Sequence, residues 1–539
     1  MKTTVSRPRP PVIRWLVVGA VVFGAWLATG AELGGAQTGG GLERAWALVR
    51  AMTRPELSSE TLAQGLKLSV QTLAVAAWGT AVGAVAGFVL ALGASRNIAH
   101  PPRCTPSWGG RARVESVRVL LDGLRAIPDF AWALVVLVFI GPGPVTGAIA
   151  IAISVAGLLG KTYSQLLDAV PRSQVQAPEA TGASRLLVGL WGYVPAAGGS
   201  MLSYTLLRFE CSVRNASVIG IVGGGGLGAA IFEELGFGRY DRLSTLLLFL
   251  LGLTALSDRT SKWVLAIRKP QGHRGRSVPL FGLGLVLLVA GAVLSADVQR
   301  GLVELARLDT AFLRASLEGM FAKAELLRHP LGLLRDSLVP VGIAVVSTAI
   351  ATAAGVAMLF AMPRIGVGVP PVFVRAVGAA AVRLADAVAL LTRAIPDVVW
   401  LLLYGVALGL GPLAAVVAIA THSFGILARL FTEVVDDVPR SLIEARLFGS
   451  SRSVFLWGVW PEIAPRLWTH VALMVESNIR AGLIVGIVGA GGLGDAFHSS
   501  IAFWRFGDAF VQALAMIAVT VLVDRIARRI TRPRGETGW

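Results

Sequence analysis

Charge is what this chain has least of. Only 15% of its 539 residues are Asp, Glu, Lys or Arg, against about 25% in a soluble globular protein. Cysteine is scarcer still: Cys104 lies in a basic loop and Cys211 inside an apolar run. That leaves neither a disulfide framework nor a metal-ligand spacing. The 32 acidic residues do not balance 49 Lys and Arg, and the net charge is +17. The excess forms no patch interleaved with aromatics, so nucleic acid is excluded as a partner. The basic residues sit between apolar runs instead, as the positive-inside rule predicts for cytoplasmic loops.

A phosphate-binding loop is also lacking. Gly160-Lys161-Thr162 has the ending of one, but Val155 stands where its first glycine is needed. The second half carries Ala428-Arg429-Leu430 there. The chain therefore has no ATPase, and no cofactor, of its own. GxGxxG-like spacings do occur, in GIVGGGGLG and GIVGAGGLG, but no soluble βαβ unit surrounds them.

What is present is apolar length. Hydrophobic residues make up 55% of the chain and mean hydropathy is +0.70. Several runs of about 20 apolar residues are long enough to cross a bilayer.

The runs repeat. Residues 195–228, PAAGGSMLSYTLLRFECSVRNASVIGIVGGGGLG, return as residues 461–494, PEIAPRLWTHVALMVESNIRAGLIVGIVGAGGLG. Without a gap Glu210 meets Glu476, Arg214 meets Arg480, and Gly220 to Gly223 meet Gly486 to Gly489. Arg125-Ala-Ile-Pro-Asp129 returns as Arg393-Ala-Ile-Pro-Asp397, and Val170-Pro-Arg-Ser173 as Val438-Pro-Arg-Ser441. A fixed internal period is the mark of a duplicated unit. Six spans per copy bring the chain back to its starting side through the basic linker around Arg268 and Arg276. The two copies then share one orientation, a parallel rather than an inverted repeat. The expected fold is an all-α polytopic membrane protein of about twelve transmembrane helices in two parallel six-helix repeats. The first unit takes 1–270 and the second 271–539, with both termini in the cytoplasm. The first span, from Trp15 to about Gly30, is read as a retained helix rather than a signal peptide. Its counterpart lies near Val278 to Leu294. Helix three is expected from about Leu120 to Ile140, with a proline kink or cap at its start.

Within helix five, Glu210 with Arg214 and Glu476 with Arg480 stand four residues apart on one helical face, the Glu first. Ionisable groups inside a membrane are costly and face a bundle interior or water. Two arginines, one from each half, make a cationic passage for an anion, and a guanidinium fork suits its oxygens. A self-neutralised pair that only packs helices is the competing reading. Gly223, Gly226, Gly228, Gly489, Gly492 and Gly494 let the backbone unwind at the outer end of that helix, as a gate. Arg208 is matched by Met474, so it cannot serve both halves alike.

The loops before helix five, 170–195 and 438–461, run from proline to proline through a short helical stretch and a glycine. They resemble the coupling loop of ABC-importer permeases. With helix five added, the block from Ala180 to Gly228 resembles the phosphonate-transporter permease family (PhnE type), two units fused in tandem. The resemblance implies a type I importer permease in a bacterial inner membrane. It further implies an ABC ATPase dimer on the cytoplasmic face, which binds ATP and Mg, and an extracytoplasmic substrate-binding protein delivering a small oxyanion. Glu179, Ala180, Gly182, Glu444, Ala445 and Gly449 are its implied ATPase-coupling residues. Their spacing departs from the family's: Glu444 precedes Gly449 by five residues rather than six, and Glu179 precedes Gly182 by three. The implied cargo is phosphonate-like, with phosphate or phosphite as alternatives. A stand-alone secondary anion transporter is the alternative from another class, and it would not need the paired loops.

Overall fold

The computed structural model describes residues 11–29, 41–99, 108–267, 330–361, 372–436 and 459–531, together with residues 303, 314, 318, 319 and 326. Among the described residues every regular element is a helix. In chain order they are α1 (Pro11–Thr29), α2 (Gly41–Met52), α3 (Ser59–Ala94), α4 (Arg96–Ala99), α5 (Trp108–Ala126), α6 (Asp129–Ile140) and α7 (Pro144–Asp168). Next come α8 (Gln176–Ala180), α9 (Arg185–Val188), α10 (Val194–Ile219), α11 (Gly226–Gly236) and α12 (Tyr240–Ile267). The second half supplies α13 (Pro330–Ala361), α14 (Val372–Ala394), α15 (Asp397–Leu408), α16 (Pro412–Asp436), α17 (Trp460–Val485), α18 (Leu493–Ala502) and α19 (Phe506–Thr531).

Eight of the described helices are long and apolar enough to cross a membrane, or nine when the bent pair α14–α15 is taken as one span. The span expected near residues 278–294 lies outside the described residues. Order, length and landmarks repeat from α3–α12 to α13–α19, as a two-repeat membrane protein requires.

Of the kink and the cap expected in helix three, the proline forms the cap: Pro128 and Pro396 are the N-caps of α6 and α15. Pro128 and Pro396 have no N–H to donate and push the preceding residue out of the helical region. The span breaks there into α5 and α6, and into α14 and α15, the latter pair bent by 95°. The tryptophan after each break ties the pieces together: Trp132 Nε1 donates to the Leu124 carbonyl at 3.1 Å, and Trp400 Nε1 to that of Thr392 at 3.0 Å.

The described chain falls into two compact units. One holds Trp46–Ala322 and Phe503–Gly507; the other holds Met1–Ala45, Lys323–Ala502 and Asp508–Trp539. In the first of these, α3 lies on α7 through Gly79, Gly83 and Gly87, one per turn. A Cβ on Gly83 would stand 2.7 Å from the Ala152 carbonyl oxygen, and one on Gly79 2.7 Å from that of Ala148. Small residues at this spacing let membrane helices approach closely, so dispersion contacts and backbone proximity hold them together.

In the other unit α13 packs on α16 and α17 around Ala351, Leu427, Phe431 and Ile463, all fully buried. The first helix of the chain, α1, packs in this unit. A Cβ on Gly342 of α13 would meet the Ala25 carbonyl oxygen of α1 at 2.6 Å. An apolar helix takes whichever surface lets it approach most closely, and a glycine on α13 offers that.

Candidate functional site

Helix five begins at Val194 and Trp460 with a proline in its first turn, where the missing N–H costs nothing. It carries the expected Glu–Arg pairs, but the two pairs differ. Arg480 Nη1 donates to Glu476 at 2.9 Å, a formed hydrogen bond. Arg214 stands 3.9 Å from Glu210, beyond hydrogen-bond reach, and its Nε is buried without a partner among the described residues.

Asp129, the first residue of α6, gathers a polar cluster that pairing like with like between the halves did not bring out. Its Oδ2 accepts from Arg208 Nη2 of α10 at 2.9 Å and from Asn215 Nδ2 of α10; its Oδ1 accepts from Ser154 Oγ of α7. The Asp129 and Arg208 side chains are 13% and 14% exposed, and Arg208 Nε is buried without a partner among the described residues. Three helices therefore converge on one carboxylate. The recurring Ile-Pro-Asp was the available signal; its partners were hidden because Met474, Ala481 and His422 replace Arg208, Asn215 and Ser154 in the second half.

The second half ties its core differently. Asn478, 2% exposed, donates to Thr348 Oγ1 at 2.8 Å and accepts from Ser423 Oγ at 3.0 Å. This links α13, α16 and α17 through neutral groups. At the matching positions of the first half stand Thr80, Val155 and Ser212, and the Thr80 and Ser212 hydroxyls are buried without partners among the described residues. Asp397, at the place of Asp129, accepts from the N–H of Val398 at 3.0 Å.

The glycine runs end helix five. Residues Gly220–Gly224 and Gly486–Ala490 widen into π-helical turns, and the chain then doubles back into α11 or α18. Gly223 and Gly489 stand at φ of 98° and 108°, a region L side chains rarely adopt. Gly228 lies so close to helix five that a Cβ would sit 1.6 Å from the Ser217 carbonyl oxygen; for Gly494 and Leu483 the figure is 2.2 Å. The turn is pinned from α3, where Gln71 and Thr72 side chains accept from the N–H groups of Gly226 and Leu227 at 3.2 and 2.9 Å.

At the opposite end, α8, Gly182 and α9 fold the first loop into a compact knuckle. Gly182 has φ of 73° and open space around it. Val175 is fully buried beneath Gly192, while Leu186, Leu187 and Trp191 are exposed, Trp191 by 76%. Glu179 receives the Tyr193 hydroxyl at 3.5 Å, so it braces the knuckle from inside. Ala180 closes α8. Glu444, Ala445 and Gly449 lie outside the described residues. Behind the knuckle Asp168 caps α4: its Oδ1 accepts from the N–H groups of Arg96 and Asn97 at 2.8 and 3.2 Å. Lys161 lies in the middle of α7 and pairs across to Asp122 of α5, which is not the geometry of a phosphate loop.

A family model described as "Binding-protein-dependent transport system inner membrane component" matches twice, over residues 108–266 and 372–534. The chain is 27% identical over 490 residues to the phosphate-import permease protein PhnE of Mycolicibacterium smegmatis, covering 89% of this chain and 87% of that one. It is 30% identical over 258 residues to the putative phosphite transport system permease protein HtxC of Stutzerimonas stutzeri. That match covers 48% of this chain and 87% of the relative, about one repeat against nearly a whole relative. A stretch of 114 residues is 32% identical to the putative cryptic phosphonate transport system permease protein PhnE2 of Escherichia coli, 21% of this chain and 93% of that one. No solved structure matches the chain.

Proposed function

The chain belongs to the family of binding-protein-dependent transport system inner membrane components, and from that premise we propose that it is the permease of an ABC importer for a phosphonate-like oxyanion. It is a transport component and not an enzyme. An ATPase dimer on the cytoplasmic face binds ATP and Mg and supplies the energy. A binding protein on the outer face delivers the cargo, and both termini lie in the cytoplasm. The observation that carries the cargo class is that relatives named for phosphate, phosphite and phosphonate share one kind of anion, a tetrahedral phosphorus oxyanion. Buried guanidinium donors on helix five supply the matching chemistry.

The folded knuckle supports the coupling role. Its exposed Leu186, Leu187 and Trp191 form an apolar surface joined directly to α10 through the π-turn Gly189–Tyr193, so a push on the knuckle moves helix five. A stand-alone carrier has no use for such a handle.

The test is ATP hydrolysis by the chain in lipid nanodiscs with its ATPase and binding protein, across phosphate, phosphite and methylphosphonate. Stimulation by one of these, dependent on the binding protein, is the expected result. Transport by the chain alone, with no ATPase bound, would overturn it.

A further inference from the structure

The two halves offer an anion very different surroundings on helix five. In the first half Arg208 and Arg214 each hold a buried Nε with no acceptor among the described residues. In the second half Met474 replaces Arg208, and Arg480 is engaged by Glu476 at 2.9 Å. In the first half Arg208 pairs with Asp129 at 2.9 Å and Arg214 stands 3.9 Å from Glu210; the matching positions of the second half hold one arginine, Arg480, and two carboxylates, Asp397 and Glu476. Only the first half is neutral in these groups. The second has one carboxylate more than arginines at these positions.

We propose that the oxyanion binds at a single cationic position in the first half, Arg208, and that Asp129 is the resident carboxylate that holds Arg208 between cargoes. The proposal rests on the oxyanion reading above. It follows from how Asp129 is held. When Arg208 turns away, the carboxylate keeps Asn215 on Oδ2 and Ser154 on Oδ1, so it is not left as an unsatisfied buried charge. Arg208 in turn exchanges one anion for another and stays neutralised throughout. Its free Nε gives the incoming oxyanion a donor that Asp129 does not use, and a guanidinium presents two such donors in a plane to paired oxygens. Binding is thus an exchange of partners, in which Ser154 and Asn215 keep the Asp129 carboxylate hydrogen-bonded while its countercharge is on the cargo. That suits a site that must release what it takes.

The experiment measures KM and Vmax for uptake of radiolabelled inorganic phosphate, phosphite and methylphosphonate by the assembled transporter with its ATPase and binding protein. Arg208→Met, which installs the residue of the second half, is expected to raise KM about tenfold or more, with the ATPase still co-purifying. Asp129→Asn keeps hydrogen-bonding groups toward Ser154 and Asn215 but leaves Arg208 uncompensated; KM is expected to fall, and Vmax with it as release slows. Met474→Arg is expected not to rescue Arg208→Met. Wild-type KM and Vmax in Arg208→Met, or an unchanged KM in Asp129→Asn, would overturn the site while leaving the importer reading in place. Should Arg208→Met not assemble, Asp129→Asn decides alone. If the wild-type complex takes up none of the three anions, the oxyanion reading fails and the site with it.

Discussion

Arg118 reaches Asp168 with Nη2 at 2.8 Å while its Nε donates to the Ala94 carbonyl at 3.0 Å. One guanidinium on α5 thus joins the C-terminal ends of α3 and α7, and the same carboxylate caps α4 and accepts from Ser95 Oγ at 2.8 Å. Asp168→Ala is expected to cost about 2 kcal/mol, the scale of a lost helix cap plus a charge-assisted bond. The partial exposure of the pair keeps the figure from being larger. Thermal unfolding in detergent measures it. A shift no larger than that of an exposed control, Arg185→Ala, would show that the cluster does not hold these ends together.

Gly228→Ala is expected to be among the most damaging small changes in the chain. The added methyl would stand 1.6 Å from the Ser217 carbonyl oxygen, which is backbone and cannot swing aside. Overpacking of this kind costs about 3 kcal/mol. Gly252→Ala is the control: nothing lies within 4 Å of it, and alanine in an exposed helix gains ~1 kcal/mol over glycine. Monodispersity after extraction and melting temperature distinguish the two.

Gly182→Ala meets no atom within 4 Å and carries only the penalty of φ at 73°, about 1 kcal/mol. Folding is expected to survive while the knuckle loses its shape. ATP hydrolysis stimulated by cargo should fall, although the unstimulated ATPase rate stays unchanged. Trp191→Ala, removing a 76% exposed aromatic, is expected to weaken ATPase affinity about thirtyfold, the scale of an interface hot spot of ~2 kcal/mol. Titrating the ATPase onto nanodisc-held chain reads both.

Glu56 supplies the pH prediction. Arg242 at 2.9 Å, with Thr61 and Ser58, holds its carboxyl below the ordinary value of 4.5. A depressed folded pKa contributes stability that is present above the unfolded value and lost as pH falls through the folded one. Acid melting of the wild type should therefore steepen below about pH 4.5. Glu56→Gln should flatten that limb and lower stability at pH 7, where the wild-type carboxylate is ionised and held by Arg242. A wild-type-like acid limb in the variant would locate the titration elsewhere.

The duplication was legible because shared residues announce it: Glu210 and Glu476, Arg125-Ala-Ile-Pro-Asp129 and its copy. The same logic hid the Asp129 cluster. Its partners are 25, 79 and 86 positions away and change identity in the second half, so pairing like with like passes over them. The Glu–Arg spacing was readable, but not that one pair closes to 2.9 Å and the other stays at 3.9 Å; neighbouring helices decide that. At Pro128 a kink or a cap was expected, and the cap is what forms, with Pro128 as the N-cap of α6; an apolar run on either side of a proline does not say which, nor how sharply the chain turns. Nor does composition tell an apolar helix such as α1 which surface to join.

That last choice has a hereditary consequence. Because α1 rests on Gly342 of α13, a gene cut between codons 270 and 271 would not yield two self-sufficient products. The downstream fragment would be missing a helix encoded at the far upstream end. Reassembly from two messages would need that helix to find its seat across separate molecules. A single reading frame guarantees it one copy each time, and recombination that exchanges one half for a foreign one must carry a matching upstream helix along.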